Sequence, residues 1–481
     1  PIAWQFEGSQ KKFLVCNYRL HKGVLTFEMG ADYNPQLPLT IDPEIIFSTY
    51  SGSTGDNWAA TATYDEAGNA YLGGINFAPG YPVSVGAYQT NYVGNADITV
   101  SKFNRLGNQA LYSTYIGGNM TEIAYSMVVD RDNNLIITGS TGSANFPITA
   151  GVAGTAFKGG TPASFWQTGP STFLANYPYG SDFFIAKLSP NGNNLLASTF
   201  LGGSSNDGLN LSPELNHNYG DIFRGEVLCD AENNIYLIGT SRSKDLPVVN
   251  AWQNTHGGGT QDACLFKLNS QLSTILFASY FGGEGNDSGY GMAFDENGQL
   301  YFCGGSSSST LGGTPGLIAG NSGGTDSYVA RIPIAGGNAI RYTFLGTAAY
   351  DQCYFVQVDN AGDVVVLGQT SGNYPIQQNG NAPLYSVPDG SLFFHKLNST
   401  LSQTIWSTRF GTSGQTNHLV PTAFMVDYCN FISFSIWAGE ANAPLHSTTS
   451  GLPVSSDAFQ PNTTGADFYL GVLKDNASGL H

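Results

Sequence analysis

A short motif that returns six times constrains this chain more than any other feature. It reads FSTYSG, YSTYIG, ASTFLG, FASYFG, RYTFLG and WSTRFG, ending at Gly52, Gly117, Gly202, Gly282, Gly346 and Gly411, at intervals of 65, 85, 80, 64 and 65 residues. Self-similarity at such a period marks propellers and solenoids, in which each repeat is one small unit that buries its apolar faces on its neighbours. After each copy comes a short strand-like run ending in Asp65, Asp130, Asp230, Asp295, Asp359 or Asp427, then a turn such as DEAGN, DRDNN or DENGQ. Asp opens such turns by bonding its own backbone. A second run follows (AYLGG, LIITGST, IYLIGTS, LYFCGG, VVVLGQT), then a loop carrying Pro82, Pro147, Pro247, Pro375 or Pro453, then a third run of the type DITVSKF, DFFIAKL or DACLFKL.

Four short strands per unit, with turn signals between them, describe a propeller blade. The expected fold is therefore all-β, a six-bladed β-propeller of four-stranded blades. The sixth unit runs out of chain before an outer strand, whereas the first STY copy, residues 44–53, has no unit of its own. That predicts a ring closed by an N-terminal strand, which removes the open sheet edges. Composition agrees: 61 Gly, 26 Tyr and 29 Phe with only 11% charged residues disfavour coiled coils and bundles, which need charged helical faces. The expected domains are a preceding short β segment plus linker at 1–43 (the linker at about 31–43), the propeller at 44–475, and a C-terminal tail at 476–481.

A net charge of −17 repels phosphate backbones and anionic lipid, so no nucleic-acid or membrane-surface role is expected. No apolar run reaches the ~18 residues of a spanning helix. The opening at Pro1 without a leader reads as a fragment. Cys16, Cys229, Cys264, Cys303, Cys353 and Cys429 stand singly, without metal-ligand spacing, and most lie in apolar runs where a thiol behaves as a small core residue.

With these residues in place, the run YSTYIGG…VVDRDNNLIITGST…FPIT…DFFIAKLSPNGNNLL and its five further copies resemble the SBBP β-propeller repeat proteins of bacteria, over about 44–474. The stretch GVLTFEMGADYNPQLPLTIDP resembles the tail of the domain that often precedes these repeats. The resemblance implies a secreted or cell-surface protein on the outer-membrane exterior, in Bacteroidota often exported by type IX secretion and part of a larger envelope complex. The family name suggests seven blades, and this chain shows six. The resemblance implies no catalytic residue.

No catalytic motif is present: no G-x-S-x-G, H-E-x-x-H, Walker loop or EF-hand loop. The turns GSTGDN, GGSSND and GGEGND offer carboxylates that could hold Ca²⁺, but capping of the turn is the favoured reading, so neither a cofactor nor a metal is expected. Lys102, Lys187, Lys267, Arg331 and Lys396 recur once per blade and read as structural, pairing between blades or snorkelling at the sheet end. Departures from the repeat are the better guide. Two insertions, about 142–180 and 204–221, lie respectively between the second and third strands of blade 2 and between the outer strand of blade 2 and the inner strand of blade 3. Both emerge on one face, and loops on a rigid scaffold are where function concentrates. Trp166, Tyr177, Tyr179, His217 and Tyr219 on them are the candidate partner-binding residues, and trimming 155–178 should leave stability nearly intact. Arg224 and Glu226 stand at the channel mouth where other blades carry small or apolar residues, and a local Arg–Glu pair is the simplest account of them. The expected function is a non-enzymatic protein- or glycan-binding, adhesion or scaffold module. The alternative is an extracellular polysaccharide-active hydrolase or lyase at the channel mouth.

Overall fold

The structure is a computed structural model that describes residues 2–7, 10–21, 24–37, 39–42, 49–167, 173–316, 318–333, 340–378, 384–412, 419–439, 447–455, 458 and 460–474. Its regular elements are strands apart from one 3-10 turn at Asp221–Phe223. Six sheets follow one another in chain order, antiparallel except for a two-residue parallel edge, Thr314–Pro315, on the fourth. Blade 1 comprises Asn57–Tyr64, Ala70–Asn76, Asp97–Phe103 and Ala110–Ile116; blade 2 comprises Glu122–Val129, Leu135–Thr141, Asp182–Leu188 and Leu195–Leu201. Blade 3 comprises Glu226–Cys229, Ile235–Ser241, Asp262–Leu268 and Ile275–Phe281. Blade 4 comprises Asp287–Phe294, Gln299–Ser306, Asp326–Pro333 and Arg341–Leu345, and blade 5 Asp351–Val358, Val364–Thr370, Leu392–Leu397 and Thr404–Phe410. Blade 6 shows Val420–Val426, Ile432–Trp437 and Phe468–Leu473. First strands of successive blades, from 1 through 6, contact one another and line a central channel.

The strands read as near-continuous apolar runs because both faces of a sheet are covered. Leu135–Thr141 and Asp182–Leu188 are buried at every position. The core accordingly lies between sheets: Phe183 and Ile185 of blade 2 pack on Val227, Leu237 and Phe266 of blade 3, and comparable clusters fill the other four junctions from blade 1 to blade 6. Each fully buried side chain of this size contributes roughly 1.5–3 kcal/mol.

The repeated Asp does what its place in the turn requires. The carboxylates of Asp65, Asp130, Asp230, Asp295, Asp359 and Asp427 each accept the backbone N–H four residues on, at 2.8–2.9 Å. The recurring lysines complete the arrangement. Lys102 reaches Asp65 at 3.0 Å, Lys187 reaches Asp130 at 2.8 Å, Lys267 reaches Asp230 at 3.1 Å and Lys396 reaches Asp359 at 2.5 Å. These ion pairs lie within a blade. The link between blades is a hydrogen bond: Lys187 donates to the Ser270 carbonyl of blade 3 at 3.1 Å, and Arg331 donates to the Ser399 carbonyl of blade 5 at 2.8 Å.

Ahead of the ring, Ile2–Glu7 pairs with Gln10–Leu14 and with Thr40–Asp42, and Cys16–His21 forms a hairpin with Val24–Met29. The linker expected at 31–43 is thus corrected at its end, since residues 40–42 are a sheet strand. Gln5 explains the return: its amide donates to the carbonyls of Asn34 and Leu37 and accepts the Asn34 N–H, drawing the Pro-rich passage onto the sheet. The closing strand expected at 44–53 falls largely on residues 43–48, outside those described; residues 49–53 carry no strand. The tail at 476–481 likewise lies outside the described residues. Among these, no helix is long and apolar enough to cross a membrane.

Removing one partner of a buried ion pair strands the other. Lys187→Met should therefore cost about 3 kcal/mol or more in a guanidinium unfolding titration, Asp130 being wholly buried; a loss below about 1 kcal/mol, the scale of an exposed pair, would place this pair among surface bridges.

Candidate functional site

The second insertion does not precede the inner strand of blade 3 but interrupts it. Asp207 bridges Ser241 and the Gly208 N–H donates to Thr240 O, so the strand begins there; pairing resumes only at Glu226, opposite Ile238. Residues 209–224 between those points fold into the channel as a plug. They are held by polar side chains aimed at tyrosines on the inner strands. Asn210 donates to the Tyr290 hydroxyl at 2.9 Å, and Asn218 donates to the Tyr354 hydroxyl at 3.0 Å and to Gln369 Oε1 at 3.1 Å. Tyr125 donates to the Gly208 carbonyl at 2.6 Å, Thr325 to the Glu214 carbonyl at 2.9 Å, and Gln261 Oε1 accepts the N–H groups of Leu211 and Ser212. The insertion thereby ties together blades 2, 3, 4 and 5.

Blade 6 is reached by two of the candidate residues. Tyr219 meets Trp437 edge-on with ring centroids 5.0 Å apart, and the Arg224 guanidinium donates to the Pro421 carbonyl at 3.1 Å. His217 stacks on Tyr350 at 3.9 Å. These three contacts place His217, Tyr219 and Arg224 against the ring, each half-buried.

The Arg224–Glu226 pair expected from the sequence is not formed. Arg224 instead lies 3.5 Å from Asp221 and 4.1 Å above the Tyr354 ring, because the 3-10 turn brings Asp221 back beneath it. Asp221 also accepts the N–H groups of His217 and Asn218 at 2.7 and 2.9 Å. Glu226 accepts the Met292 N–H of blade 4, and burial pushes its carboxyl up to about 8. It is largely neutral at pH 7. Below the plug the channel keeps a cavity of about 880 Å³, walled by Trp58, Tyr125, Phe355 and Phe424, in which Glu226 is the one carboxylate among the described lining residues.

The first insertion raises a hairpin, Ala163–Gln167 with Phe173–Tyr177, over the same face. Phe165 packs edge-on against Phe223 of the plug at 5.4 Å, and Asn206 donates to the Thr161 carbonyl at 3.0 Å, so the two insertions do meet. Tyr177 does not belong to an exposed surface: it is fully buried and its hydroxyl shares a hydrogen bond with Ser140 at 2.9 Å. Strand alternation turns Ala175 and Tyr177 down onto blade 2, where they join Ile123 and Leu209 in one cluster. Trimming 155–178 would therefore remove core, which corrects the expectation that stability would survive it. Tyr179 remains exposed at 63%. Trp166 lies on the hairpin opposite Leu174, with its side chain outside the described residues.

The acidic turns are engaged in capping. Asp207 accepts the Gly203 N–H at 2.7 Å and the Ser243 hydroxyl at 2.9 Å, and Asp287 accepts the Gly283 N–H and the Ser308 hydroxyl, both at 2.8 Å. Among the described residues, no group of three or more His, Cys, Asp and Glu is placed to hold a metal ion.

The fold and its plugged channel define a six-bladed β-propeller. The β-propeller repeat family, SBBP, matches residues 111–147, and a domain of unknown function, DUF7948, matches residues 1–44. Nothing among the curated proteins matches. Among solved structures the chain is similar to a mutant NanB sialidase from Streptococcus pneumoniae (9% identity, TM-score 0.44, covering 95% of this chain and 76% of that one). It is also similar to an ulvan lyase (8%, 0.43, 90% and 84%) and to a gluconolactonase from Xanthomonas campestris (9%, 0.31, 80% and 95%). Likeness at this level assigns neither activity nor substrate.

Arg224→Ala would leave Asp221 buried without its cation. Amide exchange across 209–223 should then quicken at least tenfold while the strands of blades 4 and 5 stay protected; unchanged exchange would show that the polar network alone seats the plug.

Proposed function

We propose that this propeller is a non-catalytic recognition module, working at the bacterial cell surface, that holds a protein or glycan partner on the face carrying the two insertions. One observation carries the reading: the ionisable side chains nearest the channel are engaged inside the protein, Arg224 by Asp221 and Pro421 and Glu226 by the Met292 N–H. Glycoside hydrolysis asks for two carboxyl groups roughly 5–9.5 Å apart across the substrate. Among its described lining residues the cavity offers Glu226 without a second. A neutral buried carboxyl is suited to donating a proton, which keeps the polysaccharide-active enzyme as the second reading.

The surface left for a partner is the hairpin 163–177, which carries Trp166, and exposed Tyr179 at its base. His217 and Tyr219 act beneath it, holding the plug that supports the hairpin through Phe223. Tyr gives rigid contact area at low entropic cost, and one modest anchor is worth about tenfold in affinity, ~1.4 kcal/mol. On a glycan array and against extracts of surface protein, Tyr179→Ala should weaken binding about tenfold or more without lowering the melting temperature. The same wild-type preparation should turn over no polysaccharide. Turnover that disappears in Glu226→Gln while the fold is retained would instead establish the enzyme.

A further inference from the structure

The recurring motif ends in glycine at every blade, and at four junctions acid side chains take the space a side chain would fill there, two acids at three of them and one at the fourth. A Cβ built on Gly202 would stand 2.5 Å from Asp207 Oδ2 and 2.9 Å from Asp182 Oδ1; one on Gly282 would stand 2.6 Å from Asp262 Oδ1 and 2.8 Å from Asp287 Oδ2. At Gly117 the same space is taken by Asp97 and Glu122, and at Gly346 by Asp326, which faces Asp351. One member of each pair opens the third strand of a blade and the other opens the inner strand of the next. All eight carboxyl-bearing residues are at most 1% exposed.

We propose that these junctions are proton-operated latches: each pair of carboxyl groups shares one proton across the glycine, so neighbouring blades hold together in mild acid and push apart as the pH rises. At two of the junctions the hydrogen bonds indicate where the proton sits: Asp287 and Asp351 each accept a backbone N–H and a hydroxyl, which favours their ionised form. In the other two pairs both acids are hydrogen-bonded, Asp97 by the Val93 and Gly94 N–H groups and Asp182 by those of Lys158 and Gly159. Oδ1 of Asp262 and of Asp326 accepts no hydrogen bond and points at the shared glycine. A proton there becomes a donor to the facing carboxylate.

Other charged groups near the pairs do not replace that proton. Tyr92 and Tyr177 face Glu122, and Tyr92 also faces Asp97; burial keeps both phenols neutral. Lys158 and Asp245 lie near the Asp182–Asp207 pair, with Lys158 Nζ donating to the Gly202 carbonyl at 3.0 Å, and the buried Cys264 thiol and Tyr280 stand beside it. Around Asp262 and Asp287 are Lys244, Glu284, Tyr328 and His256, whose Nδ1 is 3.8 Å from Asp262 Oδ1 and whose own charge burial opposes. Arg409 and Tyr374 face Asp351. No lysine or arginine among the described residues forms an ion pair with any of the eight.

Burial raises the carboxyl of Asp182 and of Asp262 to about 8, those of Glu122, Asp207 and Asp326 to about 7, and those of Asp97 and Asp287 to about 6, the facing acid adding to the rise at Asp182, Asp262, Glu122 and Asp326. Raised values mean that the folded chain holds protons the unfolded chain has released. The stabilisation is complete below the unfolded carboxyl range, near pH 4, and is lost as pH rises through about 6 to 8. Asp65 and Asp230, lowered by their hydrogen bonds and lysine partners, work the other way, but below that window.

The test is the guanidinium midpoint of the whole chain, read by tryptophan fluorescence from pH 4.5 to 8.5. We expect it to fall steadily with pH, and the triple variant Asp182→Asn, Asp262→Asn, Asp326→Asn, whose amides stay neutral throughout, to show a flattened profile. Should the variant not fold, calorimetric unfolding of the wild type at pH 6.5 in buffers of different ionisation enthalpy decides: about one proton released per junction is expected. A midpoint constant or rising between pH 5 and 8, a variant profile as steep as the wild type, or unfolding without proton release would overturn the latch.

Discussion

Two-sided burial of the sheets is the constraint from which the rest of the molecule follows. A strand such as Leu135–Thr141, buried at every position, cannot remain in a lone sheet, so each blade is stable only between neighbours. Charge then has nowhere to go except the strand ends, which accounts for the low charged content of the chain. At one end the inner-strand Asp caps the turn and takes a lysine from the third strand. At the other, two carboxyl groups from adjacent blades converge on a glycine. The blade edges thus differ chemically: one is closed by opposite charges within a blade, the other by like groups between blades.

The second insertion interrupts the inner strand of blade 3 but keeps the cap at which that strand begins. Asp207 makes the same cap as Asp287, with a glycine N–H and a serine hydroxyl, before the chain departs into the channel. The plug can therefore be long and polar while blade 3 keeps its place. Its asparagines replace water as partners of buried tyrosine hydroxyls, which would otherwise carry the cost of an unmet hydrogen bond. The hairpin stands on this base through Phe165 and Phe223, so the hairpin and the channel-filling plug are mechanically one unit.

The blades, their order and the turn aspartates were legible because each depends on a pattern that recurs in register. The insertions were legible as breaks in the period, and their convergence on one face followed from strand polarity. Exposure was not legible. Tyr177 looked like a contact residue because an insertion was taken for a loop, whereas strand alternation in the hairpin directs it inward. Arg224 and Glu226, two apart, suit a pair on one strand face, but strand pairing resumes only at Glu226 and a 3-10 turn supplies Asp221 instead. One signal went unread: acid-x-x-Tyr recurs at Glu122–Tyr125, Asp287–Tyr290 and Asp351–Tyr354, and it marks both the junction acids and the hydroxyls that bind the plug.

That same pattern accounts for the plug's position in the ring. Tyr125, Tyr290 and Tyr354 occupy the bulge of their inner strands and line the channel. In blade 3 the corresponding place belongs to Gly225, where a Cβ would come 2.7 Å from the Ile238 carbonyl and 3.3 Å from the Tyr125 ring. A tyrosine cannot stand there once Tyr125 and the second strand have closed in. The volume it would have filled is taken by residues arriving from the insertion, with Arg224 lying over the Tyr354 ring at 4.1 Å, a contact that gains from being shielded from water. Loss of the ring at Gly225 and growth of the plug are thus two sides of one packing solution, because either change alone leaves the channel wall with a void or an overlap.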